Sequence, residues 1–393
     1  MKSFNWHQPT ELLFGWGRLD EVGELVDLHG SRCLMVTGHT SEAKYPIYER
    51  VKKALEEKGV EVFHFDGVTT NPTTDIVNEG SEIAKENDVD VVLGVGGGSS
   101  MDTAKAIAVG ASHEGEAWDY RLFTEKEITD KTLPIITVTT TSGTGSQVTP
   151  VSVVTNSREK SKFALVDTQL CPEASIVDPE LMVTVPRHVT ASTGFDAFAH
   201  SFETYIHDDA SPYTDLLAKE SVELIVKYLP VAMSHPDHEL ARKKLAWADT
   251  LAGICISNAG TTLPHGIGMA IGGHAPDVLH GEALSVIYPE FFRYTYSANI
   301  EKFAAIGRVL DPELEKEYDE VAARKSCQAM DNFLKEIGMY FDLKGLGVPE
   351  GELEAIADDS VELPDYEVNP RVATRDEIYD IIEKAYDRAG STS

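Results

Sequence analysis

Three histidines, His265, His274 and His280, fall within the segment HGIGMAIGGHAPDVLHG, and the first and last each precede a glycine. Histidines this close together suit metal ligation, acid–base work, or merely a solvated polar loop. Upstream, STGFDAFAHSFETY reads as a helix with Phe195, Phe198, Ala199 and Phe202 on an apolar face. Asp196 and His200 are four apart and so project from one side of that helix. A carboxylate and an imidazole in so apolar a helix are costly to bury without a partner. They could satisfy each other by a hydrogen bond. Alternatively, His265 and His280 turn inward where the following glycine permits. The four then offer one carboxylate and three imidazoles, a set that suits a first-row divalent cation. His207, His235 and His238 read as surface residues, whereas His274 is near enough to line the site.

Two loops could hold an anion. GVGGGSSMDTAK follows an apolar run and opens a helical pattern, where glycines admit a phosphate and the first helical N–H groups bind it. It departs from G-x-G-x-x-G, with Ser99 in the last glycine's place, and it follows the third strand-like run instead of the first. A tight strand-to-helix turn is the plainer reading. No G-K-[ST] follows, which excludes an NTPase P-loop. TVTTTSGTGSQVTP also follows a strand-like run, and its hydroxyls suit a nucleotide's ribose and phosphates. On successive parallel strands the two loops would lie side by side. Gly97, Gly98 and Ser99 would then receive a pyrophosphate and Thr139, Thr140 and Ser142 would line the nucleotide, with Asp102 and Thr144 completing the set.

The elements that must position these residues follow two patterns. Residues 31–178 alternate β-rich runs with amphipathic helical ones, the order of a parallel, doubly wound, Rossmann-like sheet with helices on both faces. SVVTNSREKSKFALVD reads as an inserted hairpin. Beyond about Pro186 the strand signals fade and successive helices follow. The expectation is an α/β dinucleotide-binding domain over 1–185 and an all-α metal-binding domain over 186–393, with a ligand in the cleft between them.

Composition narrows the partners. The 393 residues hold 65 acidic against 34 basic side chains, a formal charge of −31. That field argues against nucleic acid and anionic membranes as partners, and an anionic ligand must be held by local donors. No apolar run is long enough to span a bilayer, and the N-terminus has no signal-type apolar stretch. Four scattered cysteines, Cys33, Cys171, Cys255 and Cys327, read as reduced thiols of a cytoplasmic protein.

GGGSSMDTAK, TTTSGTGSQVTP, GFDAFAHSFETY and the HG…HG segment together resemble the iron-containing (group III) alcohol dehydrogenases, in the family's order and along nearly the whole chain. The resemblance implies hydride transfer between NAD(P)H and a small aldehyde or alcohol, and a homodimer. It makes Asp196, His200, His265 and His280 ligands of Fe(2+), although the Irving–Williams order would let zinc bind more tightly. It also adds Lys162, on the hairpin, and Asn71, in TTNPTTD, as cofactor contacts. One departure stands out: Met269 occupies a position where many members have a histidine near the nicotinamide, and His274 is its candidate replacement.

In a dinucleotide fold an acid after a strand binds the ribose 2′-hydroxyl and repels a 2′-phosphate. The corresponding stretch, LMVTGHTSEAK, has Gly38, His39, Thr40 and Ser41 with Lys44 nearby, so NADP is expected over NAD. Trp118, Tyr120, Phe163 and His274 are candidate pocket residues. A dehydroquinate-synthase-like lyase would need a basic cluster near Asp196 or His265, and none is present. A non-enzymatic nucleotide-binding regulator would leave the metal set without a use.

Overall fold

The β-rich pattern of the first half becomes a six-stranded sheet, paired in parallel throughout, in the order β1-β8-β5-β4-β2-β3. The structure is a computed structural model that describes residues 3–39, 41 and 44–388. In chain order the first elements are β1 (Glu11–Phe14), α1 (Val22–Asp27), β2 (Arg32–Gly38), α2 (Tyr45–Glu57), β3 (Glu61–Val68), α3 (Thr74–Glu86), β4 (Val91–Gly96) and α4 (Gly98–Ser112). Then come β5 (Ile135–Thr139), the antiparallel hairpin β6 (Val151–Asn156) and β7 (Ser161–Val166), and β8 (Ala174–Val177). The sheet thus begins before residue 31, where the run ELLF pairs with β8.

Side chains that alternate along a strand point to opposite faces. On one face Cys33, Met35, Val91, Leu93, Val95, Ile136 and Val138 pack with Val22, Val26, Val51 and Leu55 of α1 and α2. On the other, Leu34, Val36, Val92 and Ile135 pack with Val77, Ala84, Ala104 and Ile107 of α3 and α4. The sheet is covered on both sides, which its continuous apolar runs require.

The chain runs from β2 out to β3 and then returns to lay β4 on the other side of β2. Strand order reverses there, and sheets of this kind bind ligands beyond the carboxyl ends of the strands at such a point. Gly38 ends β2 and the glycine turn follows β4, while the threonine loop follows the adjacent β5.

After Val177 no strand occurs among the described residues. The helices are α5 (Arg187–Ile206), α6 (Pro212–Ser234), α7 (Glu239–Ala259), α8 (Leu263–His274), α9 (His280–Thr295), α10 (Ile300–Leu310), α11 (Asp319–Glu336), α12 (Leu353–Ser360) and α13 (Arg375–Tyr386). Their core is aromatic: Phe195, Phe198, Phe202, Tyr288, Phe291, Phe292 and Phe303 are all fully buried.

The chain divides into two units that are not the contiguous stretches 1–185 and 186–393. One is His7–Val185 with Pro236–Ala246; the other holds the described N-terminal residues through Trp6, Pro186–His235, and the chain from Trp247 on. Ala246 explains the exchange, since it packs against Val177 and Met182. No described helix is long and apolar enough to cross a membrane.

Candidate metal centre and nucleotide-binding loops

At about 100° per residue, Asp196, His200 and Glu203 fall within roughly 60° of one another on α5. The three phenylalanines take the remaining surface into the aromatic core, so this polar stripe is buried with the helix. His265 lies in the first turn of α8 and His280 opens α9. The Nε2 atoms of His200, His265 and His280 lie 3.8, 3.9 and 3.9 Å from one oxygen, Asp196 Oδ1. Those separations exceed hydrogen-bonding distance. A tetrahedral site with arms of about 2.1 Å has edges of about 3.4 Å, so the spacing is that of a slightly expanded coordination shell. The ligand atoms of Asp196, His265 and His280 lie within 4.8 Å of one another. His200 joins them through Asp196 and by stacking on His265, with ring centroids 4.7 Å apart.

Two glycines make the convergence possible. A Cβ on Gly281 would stand 2.0 Å from the backbone oxygen of Ser192, so only glycine lets α9 settle on α5 one turn before Asp196. A Cβ on Gly268 would stand 3.3 Å from His280 Cε1. Gly281, the glycine after His280, therefore works by admitting a neighbouring helix, not by turning a loop.

Glu203, which the sequence reading did not single out, fixes the set. Its Oε1 accepts from Tyr288 OH at 3.0 Å and faces His265 Nδ1 at 2.8 Å, while Oε2 accepts from the Thr262 backbone N–H at 2.9 Å. Both Glu203 oxygens already receive donors, from Tyr288 and Thr262, so His265 Nδ1 donates in its contact with Oε1 and Nε2 keeps its lone pair towards Asp196. Burial pushes the Glu203 carboxyl up to about 8 and the Tyr288 phenol well above its ordinary range. The donors from Thr262, Tyr288 and His265 oppose that rise in Glu203 and favour its charged form. The missed signal was the i, i+4, i+7 spacing of Asp196, His200 and Glu203. One anionic oxygen ringed by three imidazole nitrogens, one of them oriented from behind by a carboxylate, fits a divalent cation.

His274 is placed elsewhere. It ends α8, nine residues or about 13 Å along the axis from His265, and its ring lies between Glu352 at 2.6 Å and Asp359 at 2.7 Å. Met269, one turn beyond His265, is half-buried. His207 is a correction to the expected surface position: it is buried, and its Nδ1 accepts from the Asp209 backbone N–H at 2.8 Å. His235 and His238 are exposed.

In the sheet unit the glycine turn and the threonine loop pack back to back. A Cβ on Gly98 would stand 2.4 Å from Thr144 Cγ2 and one on Gly97 3.0 Å from Thr141 Oγ1, while Thr140 N–H donates to Gly96 at 2.8 Å. Gly96 adopts φ 153°, which a side chain would strain. Thr139 Oγ1 donates to the Thr141 carbonyl, and Ser142 Oγ lies 3.0 Å from Met182 Sδ. Ser99 stands in the first turn of α4, where N–H groups face outward along the axis.

Asp102 turns inward: its carboxylate accepts from Ser146 Oγ at 2.7 Å and from Val153 N–H at 3.1 Å, and burial raises its pKa. Lys105, also unread in the sequence, is fully buried and donates to the carbonyls of Ser146, Thr149 and Val151 at 2.7, 2.8 and 2.9 Å. Burial lowers it to about 8. Asp102 and Lys105 together clamp the segment between the threonine loop and the hairpin. Lys162 donates to Asn71 Oδ1 at 3.0 Å, and Thr155 N–H donates to the Pro72 carbonyl, so the hairpin docks on the Asn71 turn.

At the end of β2, Gly38 is buried and Ser41 exposed, while Thr40 lies outside the described residues. Trp118 and Tyr120 are buried in the core beneath α3 and α4, with Phe163 against Trp118, instead of lining an open pocket.

Residues 9–179 match the family described as iron-containing alcohol dehydrogenase, and residues 190–386 match the C-terminal family of the Fe-containing alcohol dehydrogenases. The chain is 33% identical to the NAD-dependent methanol dehydrogenase of Bacillus methanolicus, over 97% of this chain and 99% of that one. It is 34% identical to the 1,3-propanediol dehydrogenase of Klebsiella pneumoniae, over 98% and 99% of the two chains. Among solved structures, an archaeal halo-thermophilic alcohol dehydrogenase from a Red Sea brine pool superposes with a TM-score of 0.93 at 34% identity, covering 98% of this chain and 100% of that one.

Proposed function

The chain belongs to the iron-containing alcohol dehydrogenase family, and from that premise we propose how its own residues divide the work of an NAD(P)-linked alcohol dehydrogenase. The reaction is reversible hydride transfer between a nicotinamide and a small alcohol or aldehyde. In our reading Asp196, His200, His265 and His280 hold the cation, ferrous iron for activity with zinc as a tight competitor. The observation that carries this is the ring of three Nε2 atoms 3.8–3.9 Å from Asp196 Oδ1.

When bound, the cation supplies Lewis-acid polarisation of the substrate oxygen, worth several kcal/mol of transition-state charge, and the nicotinamide gives or takes the hydride. Asp196 provides the single negative charge among the ligands. Glu203 keeps the proton on His265 Nδ1, and Tyr288 and Thr262 hold Glu203 in place. Gly97, Gly98 and Ser99 present the first N–H groups of α4 to the pyrophosphate. Thr139, Thr140 and Ser142 line the nucleotide, Lys162 and Asn71 form a further polar contact, and Asp102 and Thr144 act by packing these loops together. The same reading includes NADP(H) preferred over NAD(H), because Gly38 leaves no carboxylate at the end of β2, and a cytoplasmic homodimer. The four free cysteines are consistent with a reducing compartment.

The test is metal analysis with anaerobic reconstitution. Asp196→Ala and His280→Ala should lose the metal and turnover but keep nucleotide binding. The ferrous enzyme should outpace the zinc enzyme, and kcat/KM should favour NADPH. An alanine variant with full metal content removes that residue from the ligand set, a faster zinc form overturns iron, and a preference for NADH overturns the cofactor assignment.

A further inference from the structure

We infer that Lys44 is the residue that receives the ribose 2′-phosphate of NADP(H) and so sets the cofactor preference. The inference rests on the NADP-preferring reading above and assigns that preference to one side chain. A Cβ added to Gly38 would lie 3.3 Å from Lys44 Nζ. The ammonium therefore stands where an acidic side chain at the end of β2 would project, and it reverses the sign of charge met by the ribose 2′ position.

Three observations support a role outward from the protein. Lys44 is exposed, immediately precedes α2, and has no carboxylate partner among the described residues, although the chain holds 65 acids. The first turn of α2 carries no acidic residue. The strand end is also braced from behind: Thr37 Oγ1 donates to the Gly38 carbonyl at 3.0 Å, Tyr48 OH reaches the same carbonyl at 3.4 Å, and His64 Nε2 lies 2.9 Å from Thr37 Oγ1. The Gly38 carbonyl is thus engaged inward, and beside the Lys44 ammonium the other atom near the added Cβ is the Val68 carbonyl oxygen at 3.4 Å.

The surrounding charges leave Lys44 decisive. Lys52 lies 3.5 Å from Glu49 and offsets it, while Asp66, exposed on β3, is a carboxylate whose field reaches both His64 and Tyr48. A phosphate monoester carrying roughly −1.5 to −2 charges meets Asp66 and the overall charge of −31 unfavourably, so a local cation has to outweigh both.

The test uses the whole protein and needs no catalysis. Adenosine 2′,5′-bisphosphate and 5′-AMP are titrated calorimetrically into wild type, Lys44→Gln and Lys44→Arg, at low and high sodium chloride. Wild type should bind the bisphosphate roughly tenfold or more tightly than 5′-AMP, and Lys44→Gln should erase that ratio while leaving 5′-AMP affinity unchanged. Lys44→Arg should retain it, and salt should shrink it in wild type but not in Lys44→Gln. A ratio above tenfold that persists in Lys44→Gln overturns Lys44 as the receptor while the NADP preference stands. A wild-type ratio near one overturns both.

Discussion

Substituting Gly281 by alanine tests whether the packing of one helix on another creates the metal centre. The new Cβ would stand 2.0 Å from Ser192 O and 2.8 Å from its carbonyl carbon, and neither backbone atom can swing aside. Real Cβ contacts stay beyond about 3.0 Å, so α9 must move from α5 by about 1 Å. His280 precedes Gly281 and moves with it, while Asp196 stays one turn away on α5. With coordination arms of about 2.1 Å, a 1 Å displacement takes His280 out of the shell. Even loss of an outer hydrogen-bond partner weakens metal sites by 10–100-fold, and loss of a ligand should exceed that. Overpacking against backbone costs about 3 kcal/mol, the upper end for such changes. For a unit of this size that lowers Tm by about 6–12 °C. Metal content by mass spectrometry and Tm by calorimetry, each against wild type, measure both effects. Gly351→Ala, whose Cβ meets nothing within 4 Å, is the control and should change neither. Full metal occupancy with a Tm within about 2 °C of wild type would refute the reasoning.

Glu203→Gln keeps one acceptor oxygen but sets an amide N–H₂ against donors that now meet a carboxylate. Metal affinity should fall about 10–100-fold in competition with a chelator, and unchanged affinity would remove Glu203 from its orienting role. Lys105→Met strands the carbonyls of Ser146, Thr149 and Val151 in a buried site, and denaturant unfolding should show a loss of about 3 kcal/mol. A loss below about 1 kcal/mol would mean the clamp is dispensable. Asp365 accepts from Thr261 Oγ1 at 2.7 Å, and burial raises its carboxyl to about 6. Its contribution is therefore fully present below about 3.8 and lost as pH rises through 6. In metal-free protein Asp365→Asn should be stabilising at pH 7.5, by roughly 1–2 kcal/mol, and neutral at pH 4. An equal effect at both pH values would exclude this titration.

Much of the molecule was legible because the relevant signals are local. The continuous apolar runs of β2 and β4 dictate two covered faces and hence a doubly wound sheet. The four-residue spacing of Asp196 and His200 places both on one stripe of α5 whatever surrounds the helix. The glycine turn and the threonine loop follow neighbouring strands, so their proximity was implied by strand order. The short run ELLF carried too little pattern to announce β1, which exists because β8 offers it a parallel partner.

Only the tertiary structure decided what depends on close approach between remote segments. Nothing in the local sequence says that Gly281 meets the Ser192 backbone, yet that contact brings His280 to Asp196. Glu203 had the helical spacing of a ligand, but its partners on α8 and α9 make it the residue that orients His265. His274 shared a segment with two of the proposed ligands and was carried about 13 Å away by the straight axis of α8, to Glu352 and Asp359. Asp102 and Lys105, inside a motif read as cofactor-binding, face the protein interior because the segment between the threonine loop and the hairpin supplies their partners. Secondary structure follows from neighbours in sequence, whereas the identity of a buried polar group's partner is set by which backbones can approach closely enough to share a core.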